Sequence, residues 1–334
     1  MLGVGLLVLL LLAVLAIPVL VLVAAAASHW LPGRLRGPRL FAYGLLWLAA
    51  ESAVAVVAFV LWVASGFGWA IHRPTFQRAH RATLRWTLEV LVRAARRLFK
   101  LDVVTDGEGW SPLDDGVPGS TNAMLVLSRH AGPGDSLLLM ETLMNRDHLR
   151  RPRVVMKDTM QLDPMVDVYF HRLPSAFVDP HPEAGDDPET RIAGLASDLG
   201  TEDALLIFPE GGNFTPRRRT KAITSLRRKG LDDAAERAEA MEHVLPPRPG
   251  GVLAALDAAP HADVVFVAHT GLEHILGARD VWRAIPQDKT LHMRWWFWSA
   301  DDVPAEREQR IEWLFDRWAD IDEWIAEHRE GSPV

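Results

Sequence analysis

The first part of the chain alternates long apolar runs with short basic segments. No charged side chain occurs from Leu2 to Ala27, and Glu51 is the one charged residue between Phe41 and Ala64. Both runs are longer than the roughly 20 residues that an α-helix needs to cross the hydrocarbon core. An ionised glutamate at a helix centre costs about 2.5 to 3.5 kcal/mol on insertion scales, which favours a shallow or paired helix. The pattern predicts a membrane-anchoring hydrophobic helical hairpin over residues 1–71.

Basic residues around the apolar runs bear on how the hairpin meets the bilayer. Arg34, Arg36 and Arg39 lie between the runs, and a second arginine cluster starts at Arg73. Two full spans would separate these clusters, whereas a monotopic or re-entrant hairpin brings both to one anionic surface. Both arrangements stay open. A cleavable signal peptide ending near Ser28 is a weaker alternative, because no basic residue precedes a run that is long for such a segment.

Beyond residue 71, short apolar runs alternate with segments of helical periodicity. Leucines recur at helical spacing from Thr83 to Leu98, which predicts an amphipathic helix, and turn formers dominate the predicted loop Gly107–Ser120. Helices are also predicted over Asp135–Met144 and Glu189–Leu199. The predicted strands are Ala123–Ser128, Arg153–Met156, Ser175–Asp179, Ala204–Phe208, Asp263–Thr270 and Leu291–Trp298. This alternation predicts one α/β domain over residues 72–334, with a mostly parallel sheet and flanking helices.

Composition narrows the possible chemistry. The formal net charge is −7 over 334 residues, but the segment after the hairpin is locally basic and therefore suited to an anionic lipid surface. The absence of cysteine excludes disulfides, thiolate catalysis and cysteine-ligated metals. A dense basic run follows Arg217, yet aromatic residues are not interleaved with it, which argues against a nucleic-acid partner.

The stretch "SRHAGPGD" places His130 and Asp135 just after a predicted strand. In open α/β sheets, ligands bind where strands end and loops begin. Aspartate is also a favoured helix N-cap, so Asp135 alone is explained by the helix that starts there. If the glycine-containing loop folds back, however, Asp135 can accept a hydrogen bond from one imidazole nitrogen and leave the other as a base. The same aspartate can serve both purposes.

A second loop of interest is "FPEGGNFTP", which contains Glu210, Gly211 and Gly212 after another predicted strand. Glycines in such a position expose backbone N–H groups that can bind a phosphate or a developing oxyanion, although an ordinary turn has the same composition. The basic run that begins at Arg217 is usually a solvated helix face, but beside an anion site it is a candidate phosphate clamp.

"SRHAGPGD" resembles the His-x4-Asp block, and "FPEGG" the Phe-Pro-Glu-Gly block, of glycerolipid acyltransferases, which include 1-acylglycerol-3-phosphate acyltransferases. The blocks occur in the family's order, with "MKDTMQLDPMVDVYFHRLPSAFVD" between them. Later segments, including "HVLPPRPGG", are similar to the lysocardiolipin-type branch. The resemblance covers the chain from about Ala123 to near Trp324.

The resemblance implies acyl transfer from acyl-CoA or acyl carrier protein to a lysophospholipid hydroxyl, without a metal or other cofactor. His130 matches the catalytic base and Asp135 its orienting acid; Glu210 and Gly211 match the acceptor-binding block. The further candidate substrate-binding residues are Gly212, Lys157, Arg172 and Arg217. We expect a cell-membrane protein with its catalytic domain on the cytoplasmic face.

Departures from the family pattern affect the acceptor more than the reaction class. Gly212 and Asn213 stand where the family commonly has threonine and arginine, and Pro180 replaces an arginine after the "FVD" strand. These changes leave open a non-catalytic membrane lipid-binding protein with the same fold. A lipid hydrolase that uses the same histidine on water is a weaker alternative.

Overall fold

The computed structural model describes residues 35–106, 122–132, 134–145, 150–179, 187–271, 282–283, 285 and 288–329. The predicted first run, Leu2–Ala27, the predicted loop Gly107–Ser120 and Pro180 lie outside these residues. The helices are α1 (Arg36–Ala64), α2 (Pro74–Phe99), α3 (Asp135–Asn145), α4 (Pro164–Phe170), α5 (Pro188–Ala196), α6 (Pro216–Arg228), α7 (Asp232–Ala240), α8 (Pro249–Ala258) and α9 (Arg307–His328). The strands are β1 (Leu101–Asp106), β2 (Met124–Ser128), β3 (Arg151–Lys157), β4 (Ser175–Val178), β5 (Asp203–Ile207), β6 (Asp263–Thr270) and β7 (Lys289–Trp298).

The strands form one seven-stranded sheet in the order β1-β7-β6-β2-β5-β3-β4. Neighbouring strands are parallel except β6 and β7, which pair antiparallel. The predicted α/β fold with a mostly parallel sheet and flanking helices is therefore confirmed. Strand β1 was not predicted.

Alternating side chains of the central strands enter two apolar layers on opposite faces of the sheet. In β2, Leu125 and Leu127 belong to the layer that includes residues of α5, α8 and α9. Met124 and Val126 belong to the other layer, with residues of α1, α2, α3 and α4. Burial on both faces explains why β2, β5 and β6 each contain an uninterrupted apolar run instead of alternating apolar and polar residues.

Helix α1 corresponds to the second predicted apolar run and is long and apolar enough to cross a membrane. One side of it nevertheless packs against the α/β domain, because Val54 and Ala58 join the same apolar layer as Leu84 and Leu88 of α2. Glu51 is buried on this side as well. The burial of Glu51 agrees with the expectation that this helix is paired rather than surrounded by lipid.

Candidate active site

The loop between β2 and α3 brings His130 and Asp135 together. The His130 Nδ1 and Asp135 Oδ2 atoms lie 2.9 Å apart. Asp135 Oδ2 also accepts hydrogen bonds from the backbone N–H groups of Ala131 and Gly132 at 2.9 and 3.2 Å, while Oδ1 accepts one from Ser136 N at 2.6 Å. Asp135 therefore organises the loop at the start of α3 and orients the imidazole, so both roles considered for it coexist.

The Asp135 carboxyl is almost fully buried and yet remains ionised. Burial by itself raises its pKa, but the hydrogen bond from His130, the nearby charge of His269 and the hydrogen bond from Gly132 outweigh this and lower the pKa to about 2. A carboxylate can only accept, so His130 Nδ1 donates to it. The other ring nitrogen, Nε2, is then the basic one, and His130 lines a large cavity.

Two residues behind the dyad were missed by the sequence analysis. His269, on β6, places Nε2 3.1 Å from the Arg129 carbonyl oxygen and 3.6 Å from Asp135 Oδ2. Both neighbours are acceptors, so this nitrogen carries a proton. The fully buried Arg129 guanidinium donates to the carbonyl oxygens of His269 at 2.6 Å and His243 at 3.0 Å. A polar residue at the end of a buried strand was the available signal for both.

Glu210 lies in the interior and does not line the cavity. Its side chain is 2% exposed, and burial raises its pKa to about 8, although the charge of Arg129 and the nearby backbone N–H groups of Leu245 and His130 act in the opposite direction. This placement favours a supporting role beneath the dyad over direct contact with an acceptor.

The turn formed by Phe208–Gly212 contacts the dyad from the side. The Phe208 and His130 rings lie 4.6 Å apart between centroids. Gly211 N–H donates to the Phe208 carbonyl oxygen at 3.0 Å, so this N–H closes the turn. The positive φ of Gly211, +65°, is the backbone conformation that favours glycine.

Three cationic side chains surround this turn. A Cβ atom on Gly211 would lie 3.0 Å from Arg248 Cζ, and one on Gly212 would lie 3.2 Å from Lys157 Nζ and 3.5 Å from an Arg218 nitrogen. Burial, followed by repulsion from Arg218 and Arg248, lowers the pKa of Lys157. Arg248 belongs to the "HVLPPRPGG" block but was not predicted as a site residue, because only the fold brings it to this turn.

The other two predicted basic site residues lie elsewhere. The Arg172 guanidinium donates to the Ala58 carbonyl oxygen of α1 at 2.8 Å and to His80 Nε2 at 3.1 Å, so it connects the domain to α1. Arg217 is exposed in the first turn of α6. The structure thus groups His130, Asp135, Lys157, Gly211 and Gly212 together, and it places Arg172 and Arg217 outside the cavity lining.

The cavity next to His130 has a volume of about 580 Å³ and is mostly apolar. Its walls include Leu84 and Leu88 of α2, Met140 of α3, and Met165 and Phe170 of α4. Lys157, Gly211, Gly212 and Arg248 lie at its polar end with His130. Among the described residues, no group of three or more His, Cys, Asp or Glu side chains is arranged to hold a metal ion.

Comparison with known proteins shows what the chain is similar to. Residues 114–270 match the Acyltransferase family model. No curated protein matches the sequence significantly. Among solved structures, the chain is similar to the 1-acyl-sn-glycerophosphate (LPA) acyltransferase PlsC from Thermotoga maritima, at 16% identity and a TM-score of 0.46, over 88% of this chain and 100% of that chain. Membership of the lysocardiolipin-type branch stays a prediction. The match includes both predicted blocks, so the predicted resemblance to glycerolipid acyltransferases is confirmed over residues 114–270.

Proposed function

We propose that this protein is a membrane-bound O-acyltransferase. It transfers a fatty acyl group from acyl-CoA or acyl carrier protein to a hydroxyl of a lysophospholipid such as 1-acylglycerol-3-phosphate, in phospholipid synthesis or remodelling. The observation that carries this proposal is the His130–Asp135 pair, 2.9 Å apart, beside an apolar cavity whose polar end holds Lys157 and Arg248.

The chemistry needs no nucleophile from the protein. His130 Nε2 takes the proton of the acceptor hydroxyl while its oxygen attacks the thioester carbonyl, forming a C–O bond and a tetrahedral oxyanion. Collapse of this intermediate breaks the C–S bond, and the imidazolium returns the proton to the departing thiolate. The ionised Asp135 carboxylate stabilises the imidazolium and holds the ring in the tautomer that presents Nε2 to the cavity.

The cations around the Gly211–Gly212 turn form the proposed acceptor phosphate site. A phosphomonoester carries a charge of about −1.5 to −2 at neutral pH, which calls for more than one cation. Lys157, Arg218 and Arg248 converge there. Arg248 reaches the turn from the loop before α8 and supplies a guanidinium where Asn213 departs from the family's arginine. The apolar remainder of the cavity suits a fatty acyl chain.

The central test is His130→Ala in an assay of CoA release from acyl-CoA and a panel of lysophospholipids. We expect loss of transfer by at least about 10²-fold, because the general base is removed. Asp135→Asn should also lower kcat strongly, because an amide neither stabilises the imidazolium nor selects the tautomer in the same way. Circular dichroism checks folding. Full turnover by a folded His130→Ala protein would contradict the mechanism.

The acceptor site has its own test in Arg248→Gln. We expect KM for 1-acylglycerol-3-phosphate to rise about tenfold or more, since a charge-assisted contact with the phosphate is lost, with a smaller change in kcat. Arg283→Gln, at an exposed arginine, is the matched control. An unchanged KM in Arg248→Gln would place the acceptor phosphate elsewhere.

The second candidate function is a non-catalytic lipid-binding protein, motivated by Gly212 and Asn213 in the acceptor block. It predicts lysolipid binding with no acyl turnover across the panel. A hydrolase would instead release free fatty acid at a rate independent of the acceptor. Mass spectrometry of the products separates these outcomes from acyl transfer.

A further inference from the structure

Helix α6 directs its basic side chains to two different environments. Arg219 and Arg227 both contact Glu239 of α7. Arg219 donates to the Glu239 carbonyl oxygen at 2.8 Å, and Arg227 forms a 2.9 Å ion pair with the Glu239 carboxylate. The remaining basic residues, apart from Arg218 at the Gly212 turn, are exposed and have a different environment from Arg219 and Arg227. We name these exposed residues the α6 basic surface: Arg217, Lys221, Arg228 and Lys229.

The α6 basic surface is continuous with the cavity. Helix α6 begins just after the Gly211–Gly212 turn, and Lys229, at the far end of the helix, lines the same cavity as His130. Positions 217, 221 and 228 share one face of an α-helix, and position 229 lies on the adjacent side. Lys221 and Lys229 are separated by about 12 Å along the helix axis. A row of positive charge therefore runs along the outside of the site.

The proposed reaction involves more anionic groups than the acceptor site can neutralise. Lys157, Arg218 and Arg248 complement a single phosphate at the Gly211–Gly212 turn. A thioester donor placed with its carbonyl at His130 must direct its long pantetheine arm out of the cavity. In acyl-CoA this arm ends in a diphosphate and a ribose phosphate, a compact group with several negative charges. Closely spaced cations suit such a group, and they stand out in a protein whose overall net charge is −7.

We propose that the α6 basic surface binds the phosphates of the acyl-CoA donor. This inference rests on the proposed function, and it specifies CoA rather than acyl carrier protein as the donor's leaving group. The positive charges on Lys221 and Lys229 contact the nucleotide phosphates, while the acceptor phosphate occupies the separate site at Lys157 and Arg248. Donor binding therefore weakens as ionic strength rises, since exposed charges are screened.

The test measures binding of free CoA, dephospho-CoA and pantetheine by calorimetry to the full-length protein in detergent. Lys221→Gln/Lys229→Gln should raise Kd for CoA about threefold to tenfold, as expected for two exposed charge contacts. The effect should be smaller for dephospho-CoA and absent for pantetheine. Arg283→Gln/Arg307→Gln removes the same charge from exposed sites on other elements and should leave all three affinities unchanged.

Binding is measured without turnover, so the two proposals can fail separately. CoA binding that depends on Lys221 and Lys229 in a protein with no acyl transfer would overturn the catalytic proposal only. Equal weakening for CoA and pantetheine, or an unchanged Kd for CoA, would overturn the donor site. So would a variant in which KM for acyl carrier protein rises while KM for acyl-CoA stays the same.

Discussion

Two buried carboxyls near His130 have opposite charge states because their surroundings differ. Asp135 accepts hydrogen bonds from a histidine and backbone N–H groups, and these lower its pKa to about 2 in spite of burial. At Glu210 the effect of burial dominates and raises the pKa to about 8. At neutral pH the site therefore holds one ionised carboxylate against the base and one mostly protonated carboxyl beneath it. Mechanistically, only the first can stabilise an imidazolium.

Glu210→Gln tests the second carboxyl through stability rather than activity. A pKa raised from 4.5 to about 8 on folding means that the folded state binds the proton more tightly between these values. The glutamate's contribution to stability is complete below this window and is lost as pH rises through it. The difference in the free energy of unfolding, wild type minus Glu210→Gln, should thus decrease from about pH 5 to about pH 9. Urea titrations of both proteins measure it, and parallel pH profiles would contradict the prediction.

Residues close in sequence were predictable, whereas those joined by the fold were not. His130 and Asp135 belong to one strand–loop–helix segment, so their spacing and the helix start were enough to pair them. Arg248 and His269 reach the site from two other segments. Arg129 is next to His130 in the sequence, but its role became visible only through its contacts with the carbonyl oxygens of His269 and His243. Arg172 and Arg217 are basic residues in segments that resemble the family, and they were therefore predicted to bind substrate. In the structure Arg172 contacts α1, and Arg217 is exposed. The charge of a residue, as read from the sequence, does not indicate where the fold places its side chain.

At the scale of elements, α5 and α8 approach each other closely beside the cavity. A Cβ atom on Gly251 would lie only 2.7 Å from Ile192 Cδ1, and Ile192 is a buried member of the apolar layer. Gly251 also lines the cavity. The constraint at Gly251 is therefore one of space and not of backbone conformation, since its φ is not positive, and an added methyl group would require Ile192 Cδ1 to move. The distance between the two helices fixes one wall of the site.

Gly251→Ala should consequently be less stable than a glycine-to-alanine variant at an open helical position by about 1 kcal/mol or more, because the end of the Ile192 side chain must move within the packed layer. Gly194→Ala, on α5, is the matched control, because no atom lies within 4 Å of its added Cβ. In that open helical position, alanine should stabilise by roughly 0.5 to 1 kcal/mol. Thermal unfolding of both variants measures the difference. A Gly251→Ala protein as stable as Gly194→Ala would show that the helices can separate without cost.

Strands that are buried on both faces were easier to predict from the sequence than the strand at the edge of the sheet. Strands β2, β5 and β6 are buried at every residue and gave continuous apolar runs. Strand β1 pairs only with β7 at the edge of the sheet, and its sequence, "LDVVTD", is half polar, so it lacked that signal. Helix α2 begins at Pro74 rather than near Thr83, because its first turns are polar and obscure the periodicity.

At the scale of the whole molecule, α1 divides its surface between the domain and the outside. Its inner side is fixed by apolar packing and by the Arg172 hydrogen bond to Ala58. Large apolar side chains at its end and in the following turn are exposed: Phe59 by 62%, Phe67 by 69% and Trp69 by 81%. One side of α1 contacts the domain. We therefore expect these exposed side chains to enter the leaflet of the bilayer that faces the domain, as in a monotopic arrangement.

A single labelled cysteine can test this arrangement, because the chain contains no native cysteine. Trp69→Cys and the control Leu231→Cys, at an exposed position in the α6–α7 connection, each receive an environment-sensitive fluorophore. On vesicles with anionic lipid, the label at position 69 should shift to the blue and be quenched by brominated acyl chains, since interfacial aromatic positions lie at headgroup depth. The emission of the label at position 231 should stay the same as without vesicles, because α6 and its basic surface face the soluble donor. Equal emission at both positions would mean that the α1–α2 turn stays in water, and a quenched label at position 231 alone would mean that the protein approaches the membrane from the opposite face.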